Sequence, residues 1–433
     1  MDQLDNYYGR LFTSQQLNDD FKKLANQKAS MSMQNKLLFC NRCNSGILKE
    51  NQLPNGSYYC RKCIIFGRIE SKDPLYYFPP GQFTKTKSLK WRGSLTQYQE
   101  EISTKLVSNY EKKKKTLVHA VTGAGKTEMI YQLISKVLDS GGWVCLASPR
   151  TDVCIEIHKR LARDFSVDVT LMHAGSESYK RSQLIVATTH QLLKFYRAFD
   201  LLIIDEVDSF PFVNNHMLNW GLKQSLSEKG HLVLLTATST KDLEKEVAKG
   251  LCEKVTLSRR FHNQPLVVPE FQLVFSFLSH IEKGKLPKKF LSIFAQQRKT
   301  GFPLLIFFPI IEKGELFSRL LASHFPHEAI GYVSSQSHNR TDIVEMFRNE
   351  SLSILVTTTI LERGVTFPGI DVFVVLANHP LFNWSSLIQI SGRVGRAVQR
   401  PTGQLLFIHE GISFAMLKAR NEIRRMNKEA YGK

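Results

Sequence analysis

Residues 120–127 read Ala120-Val121-Thr122-Gly123-Ala124-Gly125-Lys126-Thr127. They stand between an apolar β-type run, Thr116–Ala120, and a stretch where Met129, Ile130, Leu133, Ile134, Val137 and Leu138 recur at helical spacing. Gly141-Gly142 then ends that stretch. Strand, glycine-rich loop and helix is the order that a phosphate-binding loop requires. Glycines let successive backbone N–H groups curl around phosphate oxygens, and the helix start adds its positive dipole end. Lys126 suits the β- and γ-phosphates of a bound nucleotide, and Thr127 offers a hydroxyl to Mg²⁺. Ala120 stands where the general pattern has glycine.

Outward from this loop, short apolar runs alternate with longer helical segments. The runs are Thr116–Ala120, Trp143–Ala147, Leu184–Ala187, Leu201–Ile204 and His231–Leu235. A second set follows at Leu304–Phe308, Ala329–Val333, Leu352–Val356, Val372–Leu376 and Gln404–Ile408. Such alternation predicts an α/β fold of two doubly wound parallel sheets. Arg259-Arg260, Pro265 and Pro269 mark the junction. The expected organisation is an N-terminal region over 1–90, a first lobe over 91–260 and a second over 261–433. Asp205-Glu206-Val207-Asp208 follows the run Leu201–Ile204, which puts carboxylates at a strand's C-terminal end. There Asp205 can hold Mg²⁺ and Glu206 can polarise an attacking water.

Cys40-x2-Cys43 and Cys60-x2-Cys63 are separated by sixteen residues, the spacing of a four-thiolate zinc site. Each knuckle supplies two soft ligands to a tetrahedral ion, and a four-Cys site is closed, hence structural. The zinc module spans about residues 36–68. Lys36, Arg42, Lys49, Arg61, Lys62 and Arg68 surround it, interleaved with Phe39, Tyr58, Tyr59 and Phe66. Those aromatics either stack on the bases of a single strand or form the small module's own core. Residues from Tyr76-Tyr77-Phe78-Pro79-Pro80-Gly81 to Lys90 read as a linker. Cys145, Cys154 and Cys252 read as buried residues, Lys112–Lys115 as a solvated turn, and Ser413–Ala430 as a basic, solvated surface helix.

Among 433 residues, 58 Lys and Arg against 39 Asp and Glu give a net charge of +19, which points to a polyanionic partner. With 42% hydrophobic residues the chain can bury large cores, so disorder throughout is excluded. The strongest apolar run, Phe302–Ile311, contains two prolines and is too short to span a bilayer. Met1-Asp2-Gln3-Leu4-Asp5 lacks the basic and apolar regions of a leader, so the expected location is the cytoplasm.

Taken in order, A-x-T-G-x-G-K-T, D-E-x-D, Thr236-Ala237-Thr238 and the Gln389-Ile390-Ser391-Gly392-Arg393-Val394-Gly395-Arg396 motif resemble the superfamily 2 helicases and translocases. Ala120 is usual in that superfamily. Leu95-Thr96-x-x-Gln99 looks like its adenine-reading element. Ser148-Pro149-Arg150 and Ala187-Thr188-Thr189-His190 look like its strand-contacting motifs. Val356–Thr359 with Glu362-Arg363-Gly364-Val365-Thr366 is similar to its motif V. The four-Cys module placed just before the motor resembles the ComFA-type competence ATPases, the motors of DNA uptake. The related replication-restart helicase carries its cysteines after the first lobe, and here no cluster follows Cys63.

The resemblance implies two RecA-like lobes, ATP and Mg²⁺ as cofactors beside Zn²⁺, and a set of roles. Gln99, Thr122–Thr127, Asp205 and Gly364 would bind the nucleotide, Thr127 and Asp205 with its magnesium. Lys126, Glu206, Arg393 and Arg396 would be catalytic, the arginines acting on the γ-phosphate. Thr236, Thr238 and Gln389 would couple hydrolysis to the strand, and Arg150, Thr188, His190, Arg340 and Thr358 would contact it. Implied partners are single-stranded DNA, the membrane DNA channel and a ComFC-type protein, met at the cytoplasmic face of the membrane. The competing readings are an RNA or replication-restart helicase and a DNA-binding adaptor with a switch-like ATPase.

Overall fold

The computed structural model describes residues 4–432. Met1–Gln3, on which the expectation of no leader partly rests, lie outside the described residues. The chain divides into two compact units. One holds the residues up to His119 together with Lys126–Thr256, and the other holds Ala120–Gly125 with the chain from Leu257 onward.

The first unit is built on a seven-stranded sheet. Its order is Glu253–Leu257, Thr116–Ala120, Leu226–Thr236, Phe199–Ile204, Val144–Ser148, Leu184–Thr188, Val169–Met172. From Thr116–Ala120 to Val169–Met172 every neighbouring pair is parallel. Helices such as Tyr131–Asp139 and Thr151–Asp164 make the crossovers. Covered strands are continuous apolar runs: Thr116–Ala120, Val144–Ser148 and Leu184–Thr188 are buried at every position. Trp143 centres the core, with its ring 5.2 Å from Phe199 and 6.0 Å from Phe195. Edge strands Val169–Met172 and Glu253–Leu257 are half-buried and carry polar residues, so they have no apolar run in the sequence.

The second unit repeats the plan with six strands in the order Glu270–Leu273, Leu405–His409, Asp371–Val375, Leu304–Phe307, Ile354–Thr357, Ile330–Val333. All of these pairs are parallel. Phe277, Phe290, Phe294, Phe308 and Phe317 fill its core. The C-terminal helix Phe414–Tyr431 starts at Ser413, whose side chain accepts the Met416 N–H. It is not solvated all round. Met416, Ala419, Ile423, Met426 and Ala430 form a buried stripe at helical spacing, and only the opposite face is basic.

The N-terminal region is not a separate module on a tether. Leu75–Tyr77, which overlaps the start of the stretch expected to be linker, is a strand paired antiparallel with Leu11–Phe12 and Asn26–Lys28. Tyr76 and Phe78 pack with Phe12 and Leu17, while Tyr77 turns the other way onto Tyr196 at 4.7 Å. This is strand alternation, hidden because the strand is only three residues long. The Lys/Thr stretch after it is also fastened down. Ser88 is buried and donates its N–H and hydroxyl to Asp139 Oδ1 at 2.8 and 2.7 Å. Arg181 closes the strap, donating to Asp5 Oδ1 at 2.7 Å and to the Gly81 carbonyl at 2.5 Å, with its guanidinium 3.9 Å from the Phe83 ring centroid.

Arg181 should therefore hold the N-terminal region to the first sheet. Arg181→Ala is expected to lower the unfolding free energy by about 2 kcal/mol, because it removes a largely buried guanidinium from its ion pair with half-buried Asp5 and from the Gly81 carbonyl. Urea unfolding measures this, and a loss under about 0.5 kcal/mol would show that Arg181 is not the fastening.

Candidate functional site

Parallel pairing puts the C-terminal ends of neighbouring strands on one rim, where open α/β sheets bind ligands. In the first unit that rim carries His119, Ser148, Thr188, Asp205 and Thr236. The loop after Thr116–Ala120 turns through Gly123 and Gly125, both at positive φ (78° and 72°), where a side chain would be strained. Lys126 and Thr127 then open the helix Lys126–Met129. Thr122 Oγ1 is buried and has no hydrogen-bond partner among the described residues.

Within the second unit, the loop is held by the segment that follows the first sheet. Val121 N–H donates to the Leu257 carbonyl at 3.0 Å, and Phe261 N–H donates to the Gly123 carbonyl at 3.1 Å. Between them Arg260 is buried. Its guanidinium donates to the carbonyls of Gly395 (2.7 Å) and Val394 (2.9 Å), inside the Gln389–Arg396 motif. Burial, and then Arg396 nearby, depress its pKa to about 10, so it stays charged at neutral pH. A Cβ at Gly392 would fall 1.9 Å from Thr122 Oγ1, so only glycine fits that position of the motif. Arg393 is buried and donates from Nε to the Glu362 carbonyl at 3.2 Å, while Arg396 Nε donates to the Gly392 carbonyl at 2.8 Å. Ser386 meets the Glu362 carboxylate, joining the helix that carries Gln389 to the turn that carries Gly364.

The acidic motif has its own scaffold. Asp205 N–H donates to the Ala147 carbonyl at 2.8 Å, and Asp205 Oδ1 accepts the Glu206 N–H at 2.8 Å. Glu206 sits at φ +54°, a strained conformation for a residue with a side chain. Asp208 is tied to the next motif. Thr238 Oγ1 donates to Asp208 Oδ2 at 2.5 Å, and Thr236 Oγ1 lies 2.8 Å from Asp208 Oδ1 while accepting the Thr238 N–H at 3.0 Å. Both threonines are buried. His119 Nε2 lies 3.2 Å from the Ala237 carbonyl, so the strand entering the phosphate loop touches the same network.

The other expected residues fall as follows. Gln99 is buried at the third position of helix Gln97–Glu111, where its Oε1 accepts the Thr96 N–H at 2.9 Å in a capping box. Arg150 precedes helix Thr151–Asp164, and Arg340 opens helix Arg340–Arg348; both are half-buried. Thr188 and Thr358 are buried at strand ends. His190 is half-buried in the turn Thr189–Lys194, and burial lowers its pKa.

The four cysteines of the N-terminal region converge. Their Sγ atoms all lie within 4.8 Å of one another, with Cys40–Cys63 at 3.8 Å and Cys43–Cys60 at 3.5 Å. Zinc–sulfur bonds of 2.3 Å in a tetrahedron put sulfurs about 3.8 Å apart, so this donor set fits Zn²⁺. Four thiolates around a divalent ion leave two negative charges. Arg42, fully buried beside them, offsets one and donates to the carbonyls of Phe66 (2.9 Å) and Leu11 (3.0 Å). Phe66 is core, packed with Leu193 and the cysteines, with Tyr58 against that cluster. Of the two uses weighed for these aromatics, the core has taken these two.

Two family models match: the DEAD/DEAH box helicase domain over residues 96–245, and the helicase conserved C-terminal domain over residues 285–398. Competence protein ComFA of Streptococcus pneumoniae is 54% identical over 424 residues, covering 98% of each chain. The ComFA of Bacillus subtilis is 34% identical over 412 residues, covering 93% of this chain and 88% of the relative. The chain belongs to the ComFA family. It is a competence-related, helicase-like, nucleic-acid-dependent ATPase, and its helicase domains imply ATP with Mg²⁺. The Lhr helicase of Mycobacterium smegmatis, solved with single-stranded DNA and AMP-PNP, shares the fold at TM-score 0.58 and 17% identity, over 78% of this chain and 50% of that one. Among the described residues no helix is long and apolar enough to cross a membrane.

Three residues of this ComFA-family site escaped the sequence reading. Arg260 was only half of a basic pair at a junction. His119, a histidine inside an apolar run one residue before the loop, was a signal left unread. Cys154 is buried as expected, and its thiol also donates to the Ala187 carbonyl at 3.2 Å, beneath the Ala187–His190 motif.

The cysteine geometry predicts one zinc per chain by metal analysis of purified protein. Arg42→Ala should destabilise the zinc-loaded protein by about 3 kcal/mol, since two buried carbonyls lose a charged donor. An Arg42→Ala protein with native stability and full zinc would refute the compensating role.

Proposed function

We propose that this chain is an ATP-driven motor that moves along single-stranded DNA and drives its uptake across the cytoplasmic membrane during natural transformation. The observation that carries the reading is the Asp208–Thr236–Thr238 link, within a ComFA-family chain. It binds the acidic motif, which serves hydrolysis, to the neighbouring motif through buried hydroxyls. A change of charge at Asp205 and Glu206 therefore has a rigid route to the rest of the rim.

In this reading Gly123–Gly125 cradle phosphate, Lys126 neutralises it, and Gln99 reads the adenine. Thr127 and Asp205 would hold Mg²⁺, a hard cation suited to hydroxyl and carboxylate oxygens, which supplies charge neutralisation on the phosphates. Glu206 orients the attacking water and accepts its proton. Arg393 and Arg396 stabilise charge on the γ-phosphate, with Gly364 beside the nucleotide and Gln389 passing on the motion. Arg150, Thr188, His190, Arg340 and Thr358 are assigned to the strand, chiefly to phosphates, which makes binding sequence-tolerant and salt-sensitive. The zinc module is structural. Work at the cytoplasmic face, beside a membrane DNA channel and a ComFC-type protein, completes the proposal.

Steady-state ATP hydrolysis at fixed salt tests it, with no nucleic acid, single-stranded DNA, duplex DNA or single-stranded RNA. Stimulation by single-stranded DNA above the others is expected. Equal or greater stimulation by RNA would move the assignment to an RNA helicase. Lys126→Ala and Glu206→Gln should each cost about 10²-fold or more in turnover with an unchanged circular dichroism spectrum.

A further inference from the structure

The basic face of the C-terminal helix borders a groove of about 920 Å³, at the upper end of the range for ligand sites. Asn421, Arg424, Lys428 and Tyr431 line one wall at spacings of three, four and three, so they form a single stripe about 15 Å long. Asn263 and Gln264, from the extended segment that enters the second unit, line the other wall. That wall is fixed by Asn427, whose carboxamide both donates to and accepts from the backbone of Leu266 at 2.9 Å. Among the described residues no carboxylate lines the groove. Arg425 is neutralised by Glu422 and Glu429, whereas Arg424 and Lys428 are exposed and enter no ion pair among the described residues. Arg259 adds a further guanidinium, 4.7 Å from the Tyr431 ring centroid.

We infer that this groove is a second contact for single-stranded DNA, separate from the motif residues on the sheet rims. The inference rests on the DNA-motor reading and extends it. Cations at an i, i+4 spacing suit successive phosphates, and carboxamides suit base edges without demanding one base. A merely solvated helix would need neither a walled groove nor two exposed cations left outside the ion pairs that Glu422 and Glu429 make with Arg425. The stripe's length accommodates two or three nucleotides, so the groove adds affinity for longer strands and leaves the chemistry of ATP untouched.

The test is fluorescence-anisotropy binding of an oligothymidylate of about 30 nucleotides to the full chain, as a function of salt. Arg424→Gln/Lys428→Gln keeps the helix, and Arg424→Glu/Lys428→Glu reverses the charge. The Glu pair should weaken binding at least about fivefold and flatten the logarithmic salt slope by about 1.4, at about 0.7 per lost single-strand phosphate contact. The Gln pair should flatten the slope by as much and weaken binding less. ATP hydrolysis without DNA should be unchanged in both. Wild-type protein that binds the oligomer while both pairs bind it equally well would overturn the groove and leave the motor intact. Wild-type protein that fails to bind it at all would overturn the DNA-motor reading and the groove with it. Polyglutamate that binds wild-type protein more tightly than the oligomer at matched charge, and loses that advantage in the Glu pair, would overturn the assignment in favour of an acidic peptide.

Discussion

Parallel hydrogen bonding between strands is the constraint from which the site follows. In the first sheet Thr236 lies opposite His119, Ile204 opposite Ala147, and Ser148 opposite Thr188, so residues far apart in sequence end on one edge. Antiparallel strands would have scattered these ends over two edges. Parallel pairing in turn needs crossovers on both faces, and that buries the strands completely. The apolar runs that make the sheet visible and the polar residues at their C-terminal ends are thus two consequences of one geometry. The second sheet obeys the same rule, with Thr357 opposite both Phe307 and Val333.

On that rim, polar contacts do what packing cannot. The buried hydroxyl of Thr236 is taken up by Asp208 and by the backbone of Thr238, and the hydroxyl of Thr238 by Asp208. A satisfied buried network has few alternative arrangements, so it transmits displacement rather than absorbing it. Arg260 plays the equivalent part in the second unit, fixing the carbonyls of the arginine-bearing motif. The zinc region repeats the theme, with Arg42 serving charge and backbone at once. Its core is continuous with Leu193 of the first unit, with Tyr196 and Met217 packed against it, so the module and that sheet stand or fall together.

Most of this was legible because covered parallel strands are nearly all apolar and the motifs have fixed spacing. The central strands of both sheets were read to within one or two residues, except that the strand ending at Thr236 begins at Leu226, five residues earlier than expected. Val169–Met172, Glu253–Leu257 and Glu270–Leu273 were missed because edge strands are half-exposed and need no apolar run. The strap from Tyr76 to Ser88 was read as linker since its strand is too short to show a period, and its anchors, Asp139 and Arg181, lie far along the chain. The roles of Arg260 and Arg42 are set by carbonyls that only the fold brings near. Composition showed their charge and could not show their burial.

The central claim is that the threonines beside Asp208 couple hydrolysis to movement. It is tested most directly by displacement of streptavidin from the end of a biotinylated single strand, measured beside ATP turnover in Thr238→Val and Thr236→Val proteins. The account predicts DNA-stimulated turnover within about threefold of normal and displacement reduced at least tenfold, to about a tenth or less, as expected when an interaction serves coupling and not the chemical step. Displacement per ATP equal to that of the unaltered protein would contradict it.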